Sequence, residues 1–265
     1  MRLRSFSYTL QRLLGRTFMT ATSATFGLKF RFKAADVVGR FIYKYDIYEP
    51  ETTHCLLSEI QFNSDDIVLD VGANIGWYSL IAAKYGANVH AFEPDPLNFK
   101  LLNENIDINH YSSKIQAHQL AVSDQESILP LYLYPDKNRG RHSLHAIDGC
   151  EKIDVKTIRL DDFITEQSLA IDKLRLIKMD IEGHEYPALK GASTLLEHVP
   201  YLLIEHAPDH IRRGDYDPKS IIKLLETYHY SPFLVSHQGC QPITIEALLN
   251  DETEQNILWK KSASE

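Results

Sequence analysis

Glycine and acidic residues with a spacing suited to ligand binding occur in one segment, Asp70-Val71-Gly72-Ala73-Asn74-Ile75-Gly76. Gly72 permits a tight turn with positive φ, and Gly76 permits close approach of a ligand and a strand. Backbone amides at the start of a following helix can meet a negative group of the ligand. We predict that Asp70, Gly72, Asn74 and Gly76 bind a cofactor. A tight turn in an unrelated α/β protein is the alternative.

This loop differs from those that bind dinucleotides. A pyrophosphate favours Gly-x-Gly-x-x-Gly with no nearby anion, whereas here Asn74 lies between the glycines and Asp70 precedes Gly72 by two residues. An acid at position 70 would repel phosphate and attract the ammonium group of an amino acid. S-adenosylmethionine has such an ammonium, a sulfonium cation and no phosphate, so the loop favours it over NAD.

Further polar residues follow the next two predicted strands. Glu93 lies 23 residues after Asp70 (93 − 70), close to the spacing at which an acid binds a ribose diol. Because NAD and S-adenosylmethionine both contain that diol, Glu93 indicates a nucleoside without choosing between them. Ser123 and Asp124 follow a third strand, where an adenine would lie, and we predict cofactor contacts there. An ordinary polar turn is the alternative.

Candidate proton acceptors follow a later apolar run, 174–179. An aliphatic hydroxyl is a poor nucleophile until a base removes its proton. Asp180 and Glu182 would lie on the same side of a strand that continues that far, and we predict both as catalytic. His142 is a further candidate base, and with Arg141 it could hydrogen-bond a sugar or an anionic carrier. A helix cap for Glu182 and a solvated loop for His142 are the alternatives.

A metal-assisted form of this chemistry would use neighbouring residues. Asp180 with Glu205 or His206 could hold a magnesium ion that activates the acceptor hydroxyl, because hard cations take oxygen ligands. The sequence contains no dense carboxylate cluster that enforces such a site. For His184 and His206 themselves, a structural role is the favoured prediction.

From about residue 65, short apolar runs alternate with amphipathic stretches. This pattern predicts a doubly wound, mostly parallel α/β sheet covered by helices on both faces. The predicted strands are 67–71, 89–92, 115–122, 174–179, 201–204, 231–236 and 256–260, and the predicted helices are 75–85, 96–108, 186–198 and 218–228. Asp95 and Pro96 are the predicted N-cap and first residue of the second helix. Two alternating segments, 129–134 and 153–160, flank a loop at 138–141 and predict an insertion that faces the substrate.

We predict two parts of the chain: a basic N-terminal helical extension or arm, residues 1–60, and the α/β domain, residues 61–265. The first 35 residues contain seven Lys or Arg and no acid. An organellar transit segment, a membrane-surface helix and a solvated helix packed on the domain all fit this charge. No segment is long and apolar enough to be a transmembrane helix, but peripheral membrane contact through the basic end stays open.

Composition sets the remaining limits. A hydrophobic fraction of 44% and a charged fraction of 24% are typical of a globular protein. The net charge of −8 argues against a nucleic acid partner. Cys55, Cys150 and Cys240 are far apart and form no Cys-x-x-Cys pair. Their spacing argues against a disulfide framework or structural zinc and predicts a cytoplasmic location.

Several segments together resemble the FkbM family of methyltransferases. They are Asp70 to Gly76, Ala91-Phe92-Glu93-Pro94, Leu160-Asp161-Asp162 and Lys178-Met179-Asp180-Ile181-Glu182-Gly183. The resemblance covers about residues 37–235. It implies the class I, Rossmann-like methyltransferase sheet: seven strands in the order 3-2-1-4-5-7-6, the last of them antiparallel. It also implies methyl transfer from S-adenosylmethionine to an oxygen, often a hydroxyl of a sugar or polyketide. By matching motif, Asp70, Gly72, Asn74 and Glu93 correspond to cofactor residues.

The favoured function is therefore an S-adenosylmethionine-dependent O-methyltransferase that acts on a sugar, a glycolipid or a secondary metabolite. A cofactor-binding partner protein without catalytic activity is one alternative. An NAD-dependent oxidoreductase is another, but it would need a phosphate-binding loop that the sequence lacks. The sequence indicates neither the identity of the small-molecule or carbohydrate acceptor nor the oligomeric state.

Overall fold

The computed structural model describes residues 2–134 and 141–262. Its strands are β1 (Phe18–Ser23), β2 (Leu28–Lys33), β3 (Ile67–Val71), β4 (Asn88–Phe92), β5 (Ile115–His118), β6 (Ala121–Val122), β7 (Ser127–Leu133), β8 (Glu151–Ile158), β9 (Leu174–Met179), β10 (Tyr201–His206), β11 (Tyr230–Ser236), β12 (Gly239–Pro242) and β13 (Gln255–Lys261). Its helices are α1 (Arg2–Leu13), α2 (Val37–Tyr45), α3 (Pro50–Glu59), α4 (Trp77–Lys84), α5 (Pro96–Ile108), α6 (Leu160–Glu166), α7 (Glu185–Lys190), α8 (Ser193–Leu196), α9 (Pro208–Arg213), α10 (Lys219–Thr227) and α11 (Ile245–Leu249).

A mixed sheet of eight strands forms the centre of the fold, in the order β12-β11-β13-β10-β9-β3-β4-β5. The strands β5, β4, β3, β9 and β10 are parallel, and β13 is antiparallel to both of its neighbours. Seven of these strands have the order that the resemblance implied. The predicted count of seven is wrong by one, because the short, polar β12 folds back antiparallel on β11 and extends the edge.

The two faces of the sheet carry separate apolar cores, as a doubly wound sheet requires. Every residue of β3 is buried. Val68 packs with α4 and α5 on one face, while Leu69 packs with α6, α7 and α10 on the other. A strand buried on both sides reads as a continuous apolar run, which is why β3 could be predicted from the sequence.

The N-terminal region is only partly helical. Residues 18–33 form a β-hairpin, so the prediction of an all-helical extension is wrong for this segment. Phe30 and Phe32 are fully buried in the core that also contains α2, whereas Lys29 and Arg31 point outward. This alternation with a period of two is typical of a strand. Phe30 and Phe32 share one core with the main sheet. The predicted division into two parts at residue 60 therefore stays a prediction.

A disulfide joins Cys55 of α3 to Cys240 of β12, with Cα atoms 5.6 Å apart. The prediction of no disulfide is therefore wrong. The two cysteines are 185 residues apart in sequence and meet only because the edge strand β12 packs beside α3. Cys150 is a free thiol. In the described parts of the chain, no helix has both the length and the apolar character needed to cross a bilayer.

Candidate functional site

A cavity of about 230 Å³ opens at the carboxyl ends of the parallel strands, compared with about 20 Å³ for a second cavity beside His206. The segments that line it include the loop after β3, the end of β4, the turn after β9 and the start of α2. Its polar lining comprises Tyr48, Glu49, Asn74, Tyr78, Glu93, Asn98, Arg141, His142, Lys178, Asp180, Glu182, Glu205 and Glu254. Open α/β sheets bind ligands at this position.

The loop after β3 is fixed to the end of β4 by backbone hydrogen bonds. The N–H groups of Gly72 and Ala73 donate to the Phe92 carbonyl at 3.0 and 2.9 Å. Gly72 has φ +77°, and a β-carbon there would overlap the Asp180 carbonyl. Gly76 has φ +91°, and a β-carbon there would lie 2.6 Å from a methyl group of Leu102. Backbone conformation therefore favours glycine at both positions, and at Gly72 the approach of the Asp180 backbone adds a packing requirement.

Asp70 lies beneath this loop and does not line the cavity. Its carboxylate accepts a hydrogen bond from the Ser79 hydroxyl at 2.5 Å and lies 3.8 Å from the Lys178 ammonium. Burial raises the pKa of Asp70, and the Lys178 charge opposes that rise. The predicted contact between Asp70 and a cofactor ammonium is thus not assembled here. Asp70 instead supports the strand end from which the loop begins.

Glu93 is buried at the end of β4 and faces the cavity. Its two carboxylate oxygens accept the N–H groups of Asn74 at 2.8 Å and Asp95 at 2.9 Å. Burial raises the pKa of Glu93 to about 8, although these hydrogen bonds oppose the rise. In its ionised form a carboxylate offers about four lone-pair sites, so ionised Glu93 can also accept two hydroxyl groups of a ligand.

The structure does not bring Ser123 and Asp124 to the cavity. The Ser123 hydroxyl lies 2.9 Å from Nε2 of His184, and Asp124 pairs with Lys190 at 3.3 Å. The preceding residues 120–122 line the cavity in their place. His184 is buried and its pKa is lowered to about 4 by burial, which agrees with the structural role predicted for it.

Asp180 and Glu182 both line the cavity. Asp180 lies 3.6 Å from the Lys178 ammonium, and Oε2 of Glu182 lies 2.9 Å from Nδ1 of His210. Burial raises the pKa of Glu182, while the hydrogen bond to Glu182 raises the pKa of His210. Glu182 has φ +56°, so the chain turns sharply here and no strand continues past Asp180. Both acids therefore line the cavity, but not through alternation along a continued strand, because β9 ends at Met179.

Several site residues were missed in the sequence. Lys178 is buried and donates to the Gly72 carbonyl at 3.2 Å. Its ammonium lies between the carboxylates of Asp70 and Asp180. A lysine inside an apolar strand was the available signal. Glu185 accepts the N–H groups of Ile181 and Gly183 and holds the turn after β9, and burial raises its pKa to about 7. No sequence signal pointed to Glu49, whose carboxylate accepts the Tyr78 hydroxyl at 2.6 Å.

His142 and Arg141 line the cavity from the insertion. Nδ1 of His142 accepts the Tyr134 N–H at 2.9 Å, and Nε2 lies 3.8 Å from the Asp95 carboxylate. Arg141 pairs with Glu254 at 3.1 Å. Most of the loop predicted at 138–141 lies outside the described residues. The insertion itself is the antiparallel pair β7–β8, as predicted.

Of the predicted magnesium ligands, Asp180 and Glu205 both line the cavity, but His206 does not. His206 faces the second cavity, where its Nε2 lies 3.4 Å from the Asp251 carbonyl. A different set does come together: Glu182, Glu205 and His210 place donor atoms within 4.8 Å of one another. Oε2 of Glu205 is buried and has no hydrogen-bond partner among the described residues. This donor set could hold a divalent cation.

The sequence matches a family profile described as Methyltransferase FkbM domain over residues 70–232. It is 32% identical over 177 residues to the hexuronic acid methyltransferase AglP of Haloferax volcanii, covering 67% of each chain. It is 29% identical over 184 residues to the 31-O-demethyl-FK506 methyltransferase FkbM of Streptomyces tacrolimicus, covering 57% of this chain and 68% of that protein.

The fold is similar to the crystal structure of the methyltransferase FkbM from Methylobacillus flagellatus. The TM-score is 0.51 at 22% sequence identity, and the match covers 86% of this chain and 53% of the other. The chain thus spans about half the length of that protein. This likeness places the sheet in the class I, Rossmann-like architecture.

Proposed function

Because this chain belongs to the FkbM family of methyltransferases, we propose that it transfers the methyl group of S-adenosylmethionine to a hydroxyl oxygen of a sugar, a glycolipid or a secondary metabolite. The observation that carries this assignment is the junction of the β3 loop with Glu93. The backbone N–H of Asn74 donates to the Glu93 carboxylate at 2.8 Å, and both residues line the cavity.

This junction suits a nucleoside that carries positive charge. Glu93 would accept the ribose hydroxyls, and residues 120–122 would border the adenine. Among the described residues, the lining contains six acids (Glu49, Glu93, Asp180, Glu182, Glu205 and Glu254) and two permanent cations, Lys178 and Arg141. Such an excess of acids favours a sulfonium and an ammonium and disfavours a pyrophosphate. An NAD-dependent reaction is therefore the weaker alternative.

The acceptor would lie where the turn after β9 meets the insertion. Bound S-adenosylmethionine supplies an activated methyl group, so the chain must orient the acceptor hydroxyl and take its proton. We assign to the Glu182 carboxylate the role of accepting the proton of the acceptor hydroxyl. Nδ1 of His210 lies 2.9 Å from this carboxylate. Arg141 is half-exposed at the rim. There it could bind a carboxylate of the acceptor, such as that of the hexuronic acid on which the Haloferax relative acts.

Calorimetric titration with S-adenosylmethionine, S-adenosylhomocysteine and NAD tests the assignment. We expect micromolar binding of the first two and none of NAD. A Glu93→Ala variant should bind roughly tenfold more weakly or worse, because it loses charge-assisted hydrogen bonds to the ribose. The matched control is Glu226→Ala, on an exposed face of α10, which should bind like the wild type. Binding of NAD alone would contradict the proposal, and binding without turnover on any hydroxyl acceptor would favour the non-catalytic partner protein.

A bound cation at Glu182, Glu205 and His210 is the alternative to direct proton transfer. Activity measured in EDTA, with and without added magnesium, separates the two. Since Glu182 and His210 already pair at 2.9 Å, we expect turnover to persist in EDTA. Loss of turnover that magnesium restores would instead assign these residues to a metal site.

A further inference from the structure

Helix α1 exposes a row of large apolar side chains. Phe6, Leu10 and Leu13 are 70%, 46% and 80% exposed, and Leu14, just after the helix, is 71% exposed. The spacings of four, three and one residues place all four on one face of a helix. Exposed large apolar residues are ordinary when scattered, but a contiguous group marks an interaction surface.

The opposite face of α1 is fixed to the body of the protein. Tyr8 is 3% exposed, and its hydroxyl donates to the Ala34 carbonyl at 2.5 Å. The Gln11 amide donates to the Tyr43 hydroxyl at 2.8 Å, and Arg4 pairs with Asp46 at 3.0 Å. The apolar row therefore faces outward, because the polar side chains on the opposite face of α1 anchor the helix to the body of the protein.

The N-terminal segment that contains this row is basic in sequence, although Arg4 and Arg31 pair with Asp46 and Glu104. The first 35 residues carry seven basic side chains and no acid, although the whole chain has a net charge of −8. The remainder of the chain therefore carries −15 (−8 − 7). Arg12 and Arg16, beside the apolar row, are exposed, and neither pairs with a carboxylate in the part of the chain that the structure describes.

We propose that α1 binds the surface of an anionic lipid bilayer. Phe6, Leu10, Leu13 and Leu14 enter the boundary between headgroups and acyl chains, and Arg12 and Arg16 contact lipid phosphates. An apolar row with basic flanks is the pattern of helices that lie in a membrane interface. A second copy of this chain fits less well, because the same basic residues would face each other. Nucleic acid offers no counterpart to four apolar side chains.

This placement has a consequence for the acceptor, and that consequence rests on the proposed function. Helix α1 packs on α2, and the first two residues of α2, Val37 and Val38, line the cavity. The helix that carries the membrane-binding face therefore contacts a helix that lines the site. A hydroxyl on the headgroup of a glycolipid or on a lipid-linked sugar would be within reach, so among the proposed acceptors the lipid-linked class is favoured.

Vesicle flotation tests the surface without requiring an acceptor. The full chain would be mixed with vesicles of phosphatidylcholine alone or with added phosphatidylglycerol. We expect it to float with the anionic vesicles and much less with the neutral ones. The double variant Leu13→Glu/Leu14→Glu should lose roughly tenfold or more of this binding, since two apolar contacts are replaced by charges. The charge-matched control is Ile128→Glu/Tyr85→Glu, at exposed apolar positions outside the N-terminal region, and it should still float.

Two outcomes would overturn the proposal: no flotation of the wild type, or equal flotation of both double variants. Sedimentation that shows a dimer lost only in Leu13→Glu/Leu14→Glu, with no vesicle binding, would also overturn it and would assign the face to a second copy. Titration of both variants with S-adenosylmethionine keeps the two proposals separate. Retained cofactor binding shows an intact fold and site, whereas wild-type flotation without cofactor binding would remove the proposed function alone.

Discussion

Gly72→Ala is expected to abolish binding of S-adenosylmethionine and to destabilise the fold by about 2–5 kcal/mol. Residue 72 has φ +77°, a conformation that disfavours a β-carbon. The added carbon would overlap the Asp180 carbonyl oxygen and lie 3.1 Å from a methyl group of Ile181. Because the main obstacle is backbone, the loop after β3 and the turn after β9 would have to separate, and these two segments form adjoining walls of the cavity.

Gly149→Ala is the matched control. Gly149 has φ +73°, nearly the same backbone conformation, but a β-carbon there would meet nothing within 4 Å. We expect only the conformational cost of roughly 1–2 kcal/mol and unchanged cofactor affinity. Denaturant unfolding and calorimetric titration of both variants measure the difference. If the two variants unfolded alike and bound the cofactor alike, the close approach of Gly72 to Asp180 would not matter for the site.

The parts of the fold that could be predicted are those whose cause is local. Asp95 was predicted as the N-cap of α5, and its side chain accepts the Leu97 and Asn98 amides at 3.1 and 2.8 Å. Pro96 begins the helix because its fixed φ suits the first turn. Parallel strands such as β10, whose residues 201–204 are Tyr-Leu-Leu-Ile, were found because burial on both faces leaves a continuous apolar run.

The parts that were missed depend on distant partners. The segment 115–122 was predicted as one strand, but Ala121 and Val122 leave the main sheet and pair with Thr157 and Ile158 of β8. The predicted helix 186–198 is broken at Gly191, where a side chain would overlap the Ser123 carbonyl. Neither contact leaves a trace in the local sequence.

The candidate site shows the same difference between features with a local cause and features that depend on distant partners. Glu93, Asp180 and Glu182 were predicted because each follows an apolar strand, and strand ends meet at one edge of a parallel sheet. Glu49 and His210 were not predicted, because Glu49 enters the cavity from a helix start and His210 contacts Glu182 from a short helix far along the chain. Asp70 belongs to the same motif as Gly72, yet only its burial in three dimensions shows that it faces Lys178 and Ser79.

Glu182→Gln is expected to lower kcat by roughly 10²–10⁴-fold, the range typical of a lost general base. Glutamine keeps the size of the side chain and can still contact His210, but it cannot take a proton. Cofactor affinity should stay unchanged, because Glu182 has no place in the proposed ribose contacts. Turnover would be followed as S-adenosylhomocysteine release with an acceptor that the wild type methylates, and Glu226→Gln on exposed α10 is the control.

The pH profile distinguishes this base from a residue that only shapes the site. Burial raises the pKa of Glu182, so its active carboxylate form is lost as the pH falls through that raised pKa. Wild-type turnover should therefore increase with pH up to that point, and the increase should disappear in Glu182→Gln. A variant that kept the same rising limb at a lower rate would mean that another group takes the proton. Asp180→Asn and His142→Gln would then decide between the two remaining predicted bases, since Asp180 lies beside Lys178 and His142 lies on the insertion, 3.8 Å from the Asp95 carboxylate.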